Sequence, residues 1–132
     1  MRSDDLPRIF SYISGSIRGM GSTPIATGGM TDHIHFLASL PKTMSVSDFV
    51  GGVKSQSSKW LKTVDADAYR LFAWQDGYGA FSVSASMLGR VQRYIMNQAE
   101  HHKKKQITYE EEYKEWLKRY HMEYDEKYAF EY

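Results

Sequence analysis

The sequence predicts an α+β domain in which an antiparallel hairpin carries helices packed on one face. Three patterns lead there. Apolar residues recur at three- and four-residue steps before residue 20, alternate along His33–Leu40, and return to helical steps after Ser45 and again after Ser86.

Leu6, Ile9, Phe10, Ile13 and Ile17 line up on one helical face behind Ser3, Asp4 and Asp5, which can cap a helix and oppose its positive end. This predicts a helix from Asp4 to Arg18, stopped by Gly19, Gly21 and Pro24. Pro24–Thr27, Gly28–Gly29 and His33–Leu40 read as strand, turn and strand, with Pro41 closing the second strand. Ser45 and Asp48 have capping-box spacing, with Asp in place of Glu. Val46, Phe49, Val50, Val53 and Trp60 then give a helix to about Lys62, weakened by Gly51 and Gly52.

Residues 63–68 read as a polar loop. Arg70–Gln75 and Ala80–Ser84 read as short strands around Asp76-Gly77-Tyr78-Gly79, with Tyr78 and Phe81 as buried hairpin aromatics; base stacking is the alternative for those two. A helix is predicted over Ser86–Lys105, with Leu88, Val91, Ile95, Ala99 and His102 on one face. Thr108 and Glu111 start a last helix through Tyr113, Trp116, Leu117 and Tyr120, and Tyr124–Tyr132 forms an aromatic, acidic tail. The 132 residues make one domain, with a core of about 1–107 and a C-terminal helix and tail over 108–132.

Composition narrows the function classes. A chain 42% hydrophobic, 25% charged and 14% aromatic is globular rather than disordered or fibrous. No apolar run reaches the roughly 18–20 residues of a membrane helix, and MRSDDLPRIF lacks the basic-then-apolar layout of a secretory signal, so a cytoplasmic protein without membrane partners is expected. The absence of cysteine rules out disulfides and thiolate metal sites, leaving His, carboxylate, amide and hydroxyl ligands. The net charge of +1 says nothing about partners, but Arg90, Arg93, Lys103, Lys104 and Lys105 against Glu100 form a basic stripe. Such a stripe can lie on phosphates or be a solvated helix face.

Asp32-His33-Ile34-His35-Phe36 is the most informative stretch. On a strand His33 and His35 point to one face, able to converge on a cation, while Ile34 and Phe36 point to the core. Two hydrogen-bonded surface histidines are the competing reading. Tyr94 and Gln98 stand one helical turn apart. Gln98 offers a hard carbonyl oxygen suited to Mg²⁺ or Mn²⁺, and Tyr94 offers a nucleophilic oxygen that a nearby cation or base would have to activate. A tyrosine beside Val91 and Ile95 also fits the rim of an amphipathic helix. A hydrolase using the histidines without Tyr94 has no third ligand or general base nearby except Asp32, which is as readily a turn residue.

Together these residues resemble a known family. His33-Ile34-His35 resembles the HUH motif (His, hydrophobic, His), and Tyr94–His102 resembles the nucleophile helix of single-tyrosine HUH transposases of the insertion-sequence 200/605 type. Gly28–Asp32, Lys54–Trp60 and Phe72–Ser84 match further stretches in the family's order. The resemblance implies a ferredoxin-like or RRM-like antiparallel sheet with helices on one face, plus C-terminal helices that include the nucleophile helix. It implies that His33, His35 and Gln98 bind Mg²⁺ or Mn²⁺, and that Tyr94 attacks single-stranded DNA to give a 5′-phosphotyrosine and a free 3′-OH. It further implies recognition of hairpin ends by a homodimer whose active sites can be shared between subunits, with Arg90, Arg93 and Lys103–Lys105 flanking the strand. Family members usually carry a strand before the first helix. Here that helix begins almost at the first methionine, and three readings of the missing strand stand side by side: a trimmed or mis-started coding sequence, a decayed element copy, or a sheet completed by another segment or subunit. An inactive or domesticated hairpin-binding relative and an HUH replication or mobilisation nuclease are the alternatives.

Overall fold

The computed structural model describes residues 1–74 and 77–98. A 3₁₀ turn (Ser3–Asp5) leads into α1 (Leu6–Gly19), followed by β1 (Pro24–Met30), β2 (His33–Ala38), α2 (Val46–Val64) and the single-turn α3 (Ala66–Tyr69). A second 3₁₀ turn (Ala85–Met87) then opens α4 (Leu88–Met96). The architecture is α+β, with β1 and β2 forming a two-stranded antiparallel sheet. Among the described residues no helix is long and apolar enough to cross a membrane.

Register decides what each face of the sheet carries. Met30 pairs with His33, Gly28 with His35 and Ala26 with Leu37, and a bulge between Pro24 and Ala26 gives the start of β1 one extra residue. Side-chain alternation sends Ile34, Phe36 and Ala38 to one face, where they pack against Ile9, Ile13 and Ile17 of α1 and Phe49, Val53 and Leu61 of α2. Ile9, Ile13, Ile17 and Leu61 are fully buried, and each contributes about 1.5–3 kcal/mol relative to an exposed side chain. The opposite face carries His33, His35 and Leu37, and α4 seats there through Val91 and Ile95 against Ala26 and Leu37. Thus α1 and α2 cover one face, and the helix bearing Tyr94 takes the other.

The first strand runs further than its glycines suggest. Gly28 and Gly29 lie within β1, and the bend falls at Thr31–Asp32. Gly28 is needed for close approach, because a Cβ there would lie 2.2 Å from the Ile95 carbonyl oxygen. Gly29 has φ 154°, and a Cβ on it would lie 2.3 Å from the His33 carbonyl oxygen. In α2, Gly51 and Gly52 cause no break. Ser45 caps the helix by accepting from the Asp48 amide at 3.0 Å, as the spacing predicts.

Three local expectations are corrected. The polar loop of 63–68 contains the start of α3, capped by Asp65, whose carboxylate accepts from the Ala68 amide. The segments at 70–74 and 80–84 are not strands, because among the described residues no strand lies beside them to accept their backbone hydrogen bonds. Their apolar residues are held by side chains instead: Phe72 meets Tyr69 and Trp74 edge-on, and Trp74 donates its indole N–H to Ser57 Oγ at 2.9 Å. Tyr78 is correspondingly 41% exposed rather than buried in a hairpin. The expectations for residues 99–132, including the last helix and the aromatic tail, lie outside the described residues.

Asp5 acts by clamping rather than capping, since its side chain makes no cap hydrogen bond at the start of α1. Asp5 accepts from the Tyr69 hydroxyl at 2.6 Å and from Arg2 Nε at 2.8 Å, while Arg2 also reaches Asp65 at 2.9 Å. The Tyr69 hydroxyl and then Arg2 hold the Asp5 carboxyl below its ordinary value. This ties the start of α1 to α3, 64 residues later.

Candidate active site

His33 and His35 sit at the turn end of β2 on the face that α4 covers, with ring centroids 5.1 Å apart and the rings edge to face. Ile34 between them belongs to the opposite core. The two-residue period of the strand therefore puts the two imidazoles on one face and Ile34 on the other.

The α4 face supplies the rest. Close packing of Ile95 on Gly28 brings Tyr94 beside the hairpin, with its ring centroid 6.2 Å from that of His35. The Tyr94 ring lies against the second apolar cluster, and its hydroxyl oxygen is shielded from solvent. Gln98, one turn further on and only 1% exposed, places Oε1 3.0 Å from Nε2 of His33. Its amide nitrogen donates to the Tyr94 carbonyl at 3.2 Å, which fixes the oxygen as the end facing His33. Tyr94, Gln98, His33 and His35 of one chain are thus gathered at one place.

On its other side, His33 Nδ1 lies 2.7 Å from Asp32 Oδ1. A neutral His33 with its proton on Nδ1 for Asp32 has its Nε2 lone pair facing the Gln98 oxygen. Two lone pairs 3.0 Å apart in a buried site repel unless positive charge lies between them. A proton satisfies that requirement, and so does a cation. Adjacent donors about 2.1 Å from an octahedral ion are about 3.0 Å apart, so the donor pair fits a small divalent ion. Among the described residues no three His, Cys, Asp or Glu side chains form a metal cluster, and the donors that stand together here are two imidazoles and one amide oxygen.

Arg90 and Arg93 are exposed on α4 close to Tyr94 in sequence. Lys103, Lys104 and Lys105, and with them most of the predicted basic stripe, lie outside the described residues. Two contributors carry little signal of their role in the sequence. Gly28 reads as turn glycine, yet its missing side chain lets α4 reach the sheet. Asp32 reads as a turn residue, and its place immediately before the first histidine is the only sequence signal for its contact.

A family model described as "Transposase IS200 like" matches residues 1–98. The chain belongs to the IS200-like transposase family. The match spans every described element, from the first 3₁₀ turn through α4 to Gln98. No curated protein and no solved structure matches the chain significantly.

Proposed function

We propose that this IS200-like transposase cleaves and rejoins single-stranded DNA through Tyr94, with His33, His35 and Gln98 holding a Mg²⁺ or Mn²⁺ ion. The observation that carries this is the approach of Gln98 Oε1 to His33 Nε2 in a buried site that also holds His35 and Tyr94. Buried polar groups in that arrangement call for a positive partner, and a phosphodiester reaction uses one.

In the proposed reaction the Tyr94 phenol loses its proton as its oxygen bonds to phosphorus. The bond from phosphorus to the 3′ oxygen breaks, and that oxygen leaves as a 3′-OH. The product is a 5′-phosphotyrosine, which a 3′-OH from another strand can attack in reverse. A divalent ion, when bound, supplies Lewis-acid stabilisation of the phosphate charge. The chain's own contribution is positional. Gln98 is tied to the Tyr94 carbonyl, so the ligand and the nucleophile share one turn of backbone. Because the Tyr94 hydroxyl is shielded, attack requires its cover to open or the side chain to turn outward. Arg90 and Arg93 provide exposed cations for the flanking phosphates.

The test is incubation with single-stranded DNA carrying the element's end hairpin in the presence of Mn²⁺. A denaturation-resistant protein–DNA adduct is expected from the wild type and none from Tyr94→Phe. Equal adduct from both proteins removes Tyr94 as nucleophile.

A further inference from the structure

The site contains a side chain with no role in the proposed reaction: Asp32, on the side of His33 away from Gln98. We infer that Asp32 is a positioning residue for the metal site, fixing His33 as the Nδ1–H tautomer and aiming the Nε2 lone pair at the Gln98 oxygen. This rests on the metal-binding part of the proposed function.

The geometry supports the role from both ends of the ring. The Asp32 carboxylate accepts from Nδ1 at 2.7 Å, and a carboxylate is an acceptor only, so that nitrogen must carry the proton. Gln98 is fixed with its oxygen toward Nε2 by its own bond to the Tyr94 carbonyl. Without Asp32, the neutral ring would gain by moving its proton to Nε2 and donating to Gln98. That tautomer has no lone pair to offer a cation at this position. It would close the site with an internal hydrogen bond.

Asp32 has little else to do. Its side chain is 71% exposed at the hairpin bend, while the imidazole it holds is 4% exposed. An exposed carboxylate contributes little core packing, so its removal should alter the ring's tautomer and ligand strength without unfolding the domain. Losing a hydrogen-bonded carboxylate partner behind a ligating imidazole typically weakens metal binding about 10–100-fold.

The experiment compares wild type, Asp32→Ala and Asp32→Asn by three measurements. These are calorimetric Mn²⁺ affinity, thermal melting of the metal-free protein, and nitrogen-15 NMR of the His33 tautomer, metal-free at mildly alkaline pH. Asp32→Ala is expected to lose about 10–100-fold in Mn²⁺ affinity and to shift His33 from the Nδ1–H to the Nε2–H form, with melting unchanged. Asp32→Asn keeps an acceptor oxygen and should retain the Nδ1–H form and recover part of the affinity. If the wild type binds Mn²⁺ and Asp32→Ala matches it in affinity or in tautomer, the role of Asp32 is wrong and the metal site stands. If the wild type takes up no Mn²⁺, the metal site and this role fail together.

Discussion

Replacing Gly28 by alanine tests how the site is assembled. The added methyl group would stand 2.2 Å from the Ile95 carbonyl oxygen, 3.0 Å from its carbonyl carbon and 3.2 Å from its Cγ2. An ordinary carbon–oxygen contact is about 3.3 Å or longer, so α4 must retreat from β1 by roughly 1 Å. The obstacle is backbone, and no rotamer change relieves it. Overpacking of this kind costs about 1–3 kcal/mol, which lowers Tm by roughly 4–12 °C for a domain near this size. Tyr94 precedes Ile95 and Gln98 follows it, so both retreat with the helix. Misplacement of reacting groups by about 1 Å can reduce the rate on the order of 100-fold. Scanning calorimetry and the single-turnover rate of adduct formation measure the two effects. A Gly28→Ala protein that melts with the wild type and forms adduct at the wild-type rate would refute the seating of α4 on β1 through this glycine.

Other predictions follow from single features. Gly15 lies exposed within α1 with nothing within 4 Å of a Cβ, so Gly15→Ala should stabilise by about 0.5–1 kcal/mol in the same melting assay. Ile13→Ala, at a fully buried position, should cost about 2–5 kcal/mol in a denaturant titration. Because the Tyr69 hydroxyl and Arg2 lower the Asp5 carboxyl in the folded state, their contribution is present above the ordinary carboxylate range and lost as pH falls through the lowered value. Tyr69→Phe should therefore lower Tm at neutral pH and lose less on acidification, and parallel Tm–pH curves would contradict this. Mixing His33→Ala with Tyr94→Phe should leave adduct formation lost, since one chain gathers both residues; restored adduct would mean that the nucleophile crosses between subunits.

Local periodicity carried much of the fold. The α1 stripe of Ile9, Ile13 and Ile17, the Ser45 cap and the alternation through His33-Ile34-His35 each depend on neighbours in sequence, and each appears where its pattern puts it. What depends on a distant partner was harder to read. Gly28 signals a turn by itself, and only the Ile95 backbone opposite it explains a glycine within a strand. Ala80–Ser84 alternates like a strand, but alternation cannot supply the neighbouring strand that a ladder needs. Asp5 has the composition of a helix-start acid, and its contact with Tyr69 spans 64 residues. The site followed the same division. The pairs His33–His35 and Tyr94–Gln98 are visible as short spacings, whereas the approach of Gln98 to His33 and the Asp32 contact require the folded register.

The most direct test of Tyr94 as nucleophile is to locate the DNA on the protein. Trypsin cuts after Arg93 and Lys103, releasing Tyr94–Lys103, a peptide in which Tyr94 is the only hydroxyl-bearing residue. After reaction with single-stranded DNA and nuclease trimming, mass spectrometry should find that peptide carrying a nucleotide 5′-phosphate on Tyr94, stable to mild acid as a phosphotyrosine bond is. A nucleotide on any other peptide, or an acid-labile one on His101 or His102, would contradict the assignment.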